Sequence, residues 1–191
     1  MTAITITLEP LIRLTAEEFC LLCQANPDAK LERTATGALV VMSPTGGESG
    51  QRNRKLTQRL GNWTNADGTG EAFDSSTMFH LPNGAFRSPN AAWISLTRWN
   101  ALTAEQRRSF PPICPDFVVE LRSDSDNLRV LQDKMQEYMQ NGTRLGWLLN
   151  PQEQTVEIYR AGQPREAKQN PQQLSGEDVL PGFVLDLAGI F

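Results

Sequence analysis

At 191 residues, with 39% apolar and 21% charged side chains, the sequence suits one packed domain spanning 1–191 and excludes a disordered chain. A net charge of −4 excludes a broadly basic nucleic-acid binder, so any such contact must be local. No apolar run is long enough to cross a bilayer, and "MTAITITLEPLIRLTAEEF" lacks a basic stretch followed by an apolar core. A soluble, cytoplasmic protein without a membrane partner is therefore expected.

Thr15 and Glu18 have capping-box spacing and open a first helix that fades near Asn26-Pro27-Asp28. Cys20 and Cys23 lie within it at C-x-x-C spacing, and Cys114 is far away. Phe19, Leu22 and Cys23 share a helical stripe, and no second Cys or His pair completes a zinc site, so these thiols read as small buried hydrophobes. "AKLERT" and "ALVVMSP" around "ATG" read as a hairpin.

"GESGQRNRKLTQRLGNW" places Leu56, Leu60 and Trp63 on a narrow stripe of a polar helix. Its solvent face carries Arg52, Arg54, Lys55 and Arg59 with no acid between Ser49 and Trp63, a run suited to a phosphate backbone or simply to water. "DSSTMFHL" and "RSPNAAWISL" flank Asn83-Gly84, a hairpin signal. Thr103 and Gln106 repeat capping-box spacing before "PPICP" ends that helix.

"DFVVELRS" is an apolar strand interrupted by Glu120, and a carboxylate in such a strand needs a partner. Alternation puts Arg122 on the face of Glu120. Residues 128–141 repeat apolar groups at Leu128, Leu131, Met135 and Met139 and stop at Asn141-Gly142. Lys134 borders that stripe. The strands "RLGWLLN" and "TVEIYR" follow, then a polar loop over 161–173 and a C-terminal apolar element, "VLPGFVLDLAGIF". This order gives an α+β or α/β arrangement around a mixed central sheet. His80 has no partner spacing and receives no role.

The segments "VVMSPTGGESG", "FDSSTMFHLPNGAFRSPNAAWISL", "FPPICPDFVVELRSDSD" and "LQDKMQEYMQNGTRLGWLLNPQEQTVEIYR" resemble the Uma-two family, grouped with restriction endonucleases in the PD-(D/E)XK nuclease superfamily. The similarity runs from about residue 10 through "LSGEDVLPGFVLDL". It implies a restriction-endonuclease-like core, a central mixed sheet flanked by helices, preceded by an N-terminal helix and hairpin. It also implies a magnesium-dependent site for hydrolysing phosphodiester bonds in DNA.

Carried over by residue, the aspartate of the Pro-Asp motif falls on Asn90, the second acid on Glu120, and the basic member on Arg122 or Lys134, with Lys134 favoured because Arg122 cannot lose its proton. Glu48 matches the extra helical acid of some branches. The implied metal ligands are thus Asn90, Glu120 and Glu48, and the implied nucleic-acid contacts are Arg52, Arg54, Lys55 and Arg59. A homodimer is expected of an enzyme that must cut two strands.

Asn90 is the departure. Its neutral carbonyl oxygen keeps the ligand position and loses one negative charge. Three accounts stay open: a natural loss that leaves a binding or interaction module, an inactivating substitution, or compensation by Glu48, Asp74 or Asp116. Pro-Asn could also simply start a strand through an Asx turn. Glu120 could be a structural ion pair with Arg122 or Lys134. Asp116, in a second Pro-Asp pair, ranks below Asn90 because it suits the strand start.

Overall fold

A computed structural model of the chain describes residues 3–9 and 12–191. Residues 1, 2, 10 and 11, and the part of the N-terminal reading that concerns them, lie outside the described residues. In chain order the elements begin with β1 (Ala3–Ile6), α1 (Ala16–Ala25), β2 (Lys30–Arg33), β3 (Leu39–Met42), α2 (Gly47–Asp67) and β4 (Gly70–Asp74). They continue with β5 (Phe79–His80), β6 (Phe86–Arg87), β7 (Ala91–Ser95), α3 (Leu96–Asn100), α4 (Ala104–Arg108) and β8 (Phe117–Leu121). The last are α5 (Leu128–Gln140), β9 (Leu145–Asn150), β10 (Thr155–Arg160), β11 (Glu166–Gln169), β12 (Gln173–Ser175) and β13 (Val184–Asp186).

The central sheet has six strands in the order β11-β10-β9-β8-β7-β4. Only β8 and β9 are parallel, because α5 carries the chain between them in a β-α-β crossover. A five-stranded antiparallel sheet, β1-β3-β2-β6-β5, stands beside it, and β12 pairs with β13.

Side-chain alternation sorts the central sheet into two apolar layers. Phe117, Val119, Trp147 and Leu149 face α2 and the C-terminal segment. Val118, Leu148 and Ala92 face α5. Every residue of β8 and β9 is buried, which is why both read as continuous apolar runs.

Both capping boxes form, at Thr15 with Glu18 and at Thr103 with Gln106. Helix α5 is capped by the Asn127 side chain and ends at Asn141, with Gly142 following at φ 107°, a conformation that favours glycine. Its Met135 and Tyr138 are fully buried, each stabilising the seat of the helix by about 1.5–3 kcal/mol. Gly146 of β9 makes that seat possible, since a Cβ there would stand 2.5 Å from Met135 Cε.

Several elements differ from the sequence reading. The predicted hairpin around Asn83-Gly84 is only the short β5–β6 pair. Pro89 cannot donate to a ladder, and beyond it the chain leaves the first sheet and enters the second as β7. There β7 lies between β8 and β4, the latter an unpredicted strand whose five residues mix exposed and buried positions. The loop expected over 161–173 contains β11, which is wholly exposed and so has no apolar alternation to reveal it. Helix α2 runs four residues beyond Trp63, to a left-handed C-cap at Gly68.

The thiols follow the sequence reading in part: Cys114 is fully buried, whereas Cys20 and Cys23 are half-buried against the Phe19–Leu31–Phe86 cluster, and burial raises both of their pKa values. Among the described residues, no helix is long and apolar enough to cross a membrane.

Candidate active site

The site forms where the two sheets meet under α5. Ladder pairing sets Ala91 opposite Val119, so one further step along both antiparallel strands brings Asn90 beside Glu120. The contact is tight: the Leu121 N–H donates to Asn90 Oδ1 at 2.9 Å. The Asn90 amide donates to Asn53 Oδ1 of α2 at 3.1 Å, and Asn53 in turn donates to Ser75 Oγ at 3.2 Å. Asn90 is thus held from both sides, with its oxygen on a backbone donor.

Glu120 is buried at 3% exposure and has found the partners its position demands. The Lys134 Nζ stands 2.9 Å from Glu120 Oε1, and the Tyr138 hydroxyl donates to the same oxygen at 3.1 Å. Lys134 and Tyr138 lie four residues apart on α5, one turn along the same face. Lys134 therefore meets Glu120 by descending from the helix onto the strand.

A residue that the sequence reading passed over completes the cluster. Glu32 of β2, only 2% exposed, accepts from Lys134 Nζ at 2.9 Å, from the Ser88 N–H at 2.8 Å and from Arg87 Nη1 at 3.2 Å. Arg87 also reaches Glu137 of α5 at 2.5 Å. The available signal was an acid between Leu31 and Arg33 in a short strand, and it went unread because Glu32 meets its partners only in the folded chain.

Burial alone would raise the Glu32 carboxyl. Lys134 and Arg87, with the Ser88 N–H, outweigh that effect and hold it below the usual glutamate range. Glu120 moves the other way, because burial, reinforced by the negative Glu32, outweighs Lys134 and the Tyr138 hydroxyl. Lys134 is held above its ordinary value: burial works against its charge, and the carboxylates of Glu120 and Glu32 prevail. One ammonium thus lies between two carboxylates whose pKa values are pushed in opposite directions.

These side chains line a cleft of about 900 Å³. Lys30, Glu32, Arg87, Asn90, Glu120 and Lys134 all face it, and burial, with Lys134 nearby, lowers the pKa of Lys30.

Other predicted residues lie elsewhere. Arg122 follows the last residue of β8, and its guanidinium runs to the Asp126 carbonyl and to Glu153, each at 3.3 Å, so it does not join Lys134. Glu48 is 83% exposed and pairs with Arg52 at 3.4 Å; from α2 it is Asn53 that bonds Asn90. Lys55 donates to the Gly189 carbonyl at 3.1 Å and Arg59 to the carbonyls of Asp186 and Ala188, so both bind the chain's own C-terminal segment. Arg54 donates to Gln58 at 2.8 Å. Asp116 serves the strand start as expected, accepting from the Ser95 N–H and Arg98, each at 2.9 Å. Asp74 accepts from the Ser76 N–H at 2.9 Å.

A hard divalent cation takes oxygen ligands and is held by as few as one or two carboxylates plus substrate oxygens and water. Glu120 and the Asn90 carbonyl meet that lower limit with one negative charge, and Glu120 is shared with Lys134. Among the described residues, no group of three or more His, Cys, Asp or Glu is placed to hold a metal. The donors therefore fit such a cation, but weakly.

A model of the Uma2 family, described as "Putative restriction endonuclease", matches residues 16–188. The crystal structure of a putative nuclease belonging to DUF820 from Anabaena variabilis superposes with a TM-score of 0.77 at 19% identity, covering 93% of this chain and 97% of that one. A DrdV–DNA complex aligns over 62% of this chain and 10% of that chain, with a TM-score of 0.36 and 12% identity. No curated protein matches the sequence. The Anabaena structure shares the fold described above, a mixed sheet flanked by helices.

Proposed function

Since the chain belongs to the Uma2 family of restriction-endonuclease-like proteins, we propose that it is a magnesium-dependent endonuclease that hydrolyses phosphodiester bonds in DNA, weakened at Asn90. The observation that carries this reading is the convergence of Asn90, Glu120 and Lys134 on one cleft. Glu120 and the Asn90 carbonyl would hold the cation, and Lys134 would offer its ammonium to the charge building on the phosphoryl oxygens. Tyr138 fixes one oxygen of Glu120, so that carboxylate has a defined direction. When bound there, a divalent cation supplies a polarised water as nucleophile and neutralises phosphate charge. Arg52 and Arg54 guide the nucleic-acid backbone, and the protein acts in the cytoplasm as a homodimer.

The test is Asn90→Asp. It should raise magnesium-dependent cleavage of a DNA panel containing duplex and single strands, and Glu120→Ala should abolish it. An Asn90→Asp protein as inert as Glu120→Ala contradicts the nuclease reading.

A second reading follows from Asn90 itself: a nucleic-acid-binding or protein-interaction module that has lost catalysis. DNA affinity that falls with salt, ignores magnesium and weakens on Arg52→Ala or Arg54→Ala would favour it.

A further inference from the structure

The ammonium of Lys134 is bracketed by two carboxylates. Glu120 is one, and the nuclease reading uses it. The other, Glu32, belongs to a different sheet and has no part in that reading. Its Oε1 stands 2.9 Å from the ammonium, at the same distance as Glu120 Oε1.

A carboxylate at 2% exposure persists only with its acceptor sites filled. Glu32 fills them with three donors from two elements: Lys134 of α5, and Arg87 with the Ser88 N–H at the end of β6. Arg87 is itself tied to Glu137, one turn beyond Lys134 on α5. The contacts close a loop from α5 through Glu32 and Arg87 back to α5. The same chain segment then continues through Pro89 into Asn90.

We infer that Glu32 is a positioning residue for Lys134. Its carboxylate fixes the ammonium beside Glu120 and couples that placement to the strand that delivers Asn90. Lysine is a point charge on a long flexible stem, so without Glu32 the ammonium has one carboxylate to bind instead of two and its position loosens. The role requires a negative group that reaches Lys134; a merely space-filling role would be served equally by glutamine. This rests on the reading of Lys134 as the cation of the site.

The experiment uses the full chain labelled with 15N-lysine. The Lys134 ammonium, assigned by its absence in Lys134→Arg, should give a resolved, slowly exchanging signal that Glu32→Gln broadens beyond detection. In the Asn90→Asp background, Glu32→Gln should lower kcat by at least about tenfold with KM changed less than about twofold. Glu32→Asp, one methylene shorter, should fall between parent and Gln in both measurements, and it carries the test alone if the Gln variant shows no cooperative melt. A variant with parent-like ammonium signal and kcat overturns the proposal, as does an activity loss that only tracks the fraction unfolded. Loss of the ammonium signal in Glu32→Gln without any cleavage by Asn90→Asp upholds the positioning role and contradicts the nuclease reading instead.

Discussion

Asn90 and His80 show how single side chains set measurable properties. On the proposed function, the charge missing at Asn90 should lower affinity for a divalent cation by an amount on the order of 2–4 kcal/mol, roughly 30- to 1000-fold. The neutral amide compensates structurally, because its oxygen caps the Leu121 N–H and its nitrogen bonds Asn53. An aspartate would keep the first bond and lose the second donor. His80, the only histidine, stacks on Phe86 at 4.3 Å, and burial, with nearby Arg33, lowers its pKa from the ordinary 6.5. Below pH 6.5 the unfolded chain takes up a proton that folded His80 refuses, so stability is fully present above that value and falls as pH drops towards the lower folded value. Denaturant titrations over that window should show this loss, and His80→Phe, which keeps a flat ring on Phe86, should remove that component. Asn90, Glu120 and Lys134 were legible because an acid in an apolar strand demands explanation and the resemblance supplied positions. Glu32 was not, because its partners are 55, 56 and 102 residues away.

At the scale of elements, α2 shows why a charge run is ambiguous in sequence. Its four basic residues divide between uses: Lys55 and Arg59 cap carbonyls at residues 186–189, while Arg52 and Arg54 bond within the helix. Arg59→Ala should therefore reduce stability by about 1–2 kcal/mol in urea titrations; on the proposed function it should leave the salt dependence of DNA affinity unchanged, whereas Arg52→Ala should reduce that dependence. Periodic burial decided what could be read among the other elements. Helix α5, with one apolar stripe and caps at both ends, was legible to within a residue. Strands β4 and β11 were not, because edge positions in the central sheet leave much of each in solvent and no alternation in the text.

At the scale of the molecule, the site exists because two sheets converge. Strand β2 brings Glu32, strand β8 brings Glu120, and α5 spans both with Lys134. The sequence supports a mixed sheet flanked by helices, but the transfer of the chain from one sheet to the other at Pro89 depends on long-range pairing that local patterns do not encode. The C-terminal segment closes the opposite face through Phe183, which packs against Trp63 at 5.3 Å, Trp147 at 6.0 Å and Phe117 at 6.5 Å. Phe183→Ala should cost about 3–5 kcal/mol, seen as a lower denaturation midpoint at an unchanged slope. That loss belongs to the core and leaves the Lys134 cluster, on the other face of the sheet, intact.

The claim that Glu120 and position 90 form one weakened cation site is tested most directly by calorimetric titration of magnesium into the native protein, Asn90→Asp and Glu120→Ala. Asn90→Asp should bind roughly 30- to 1000-fold more tightly than the native chain, and Glu120→Ala should show no heat of binding. Equal affinity in the native and Asn90→Asp proteins, or undiminished binding in Glu120→Ala, would contradict it.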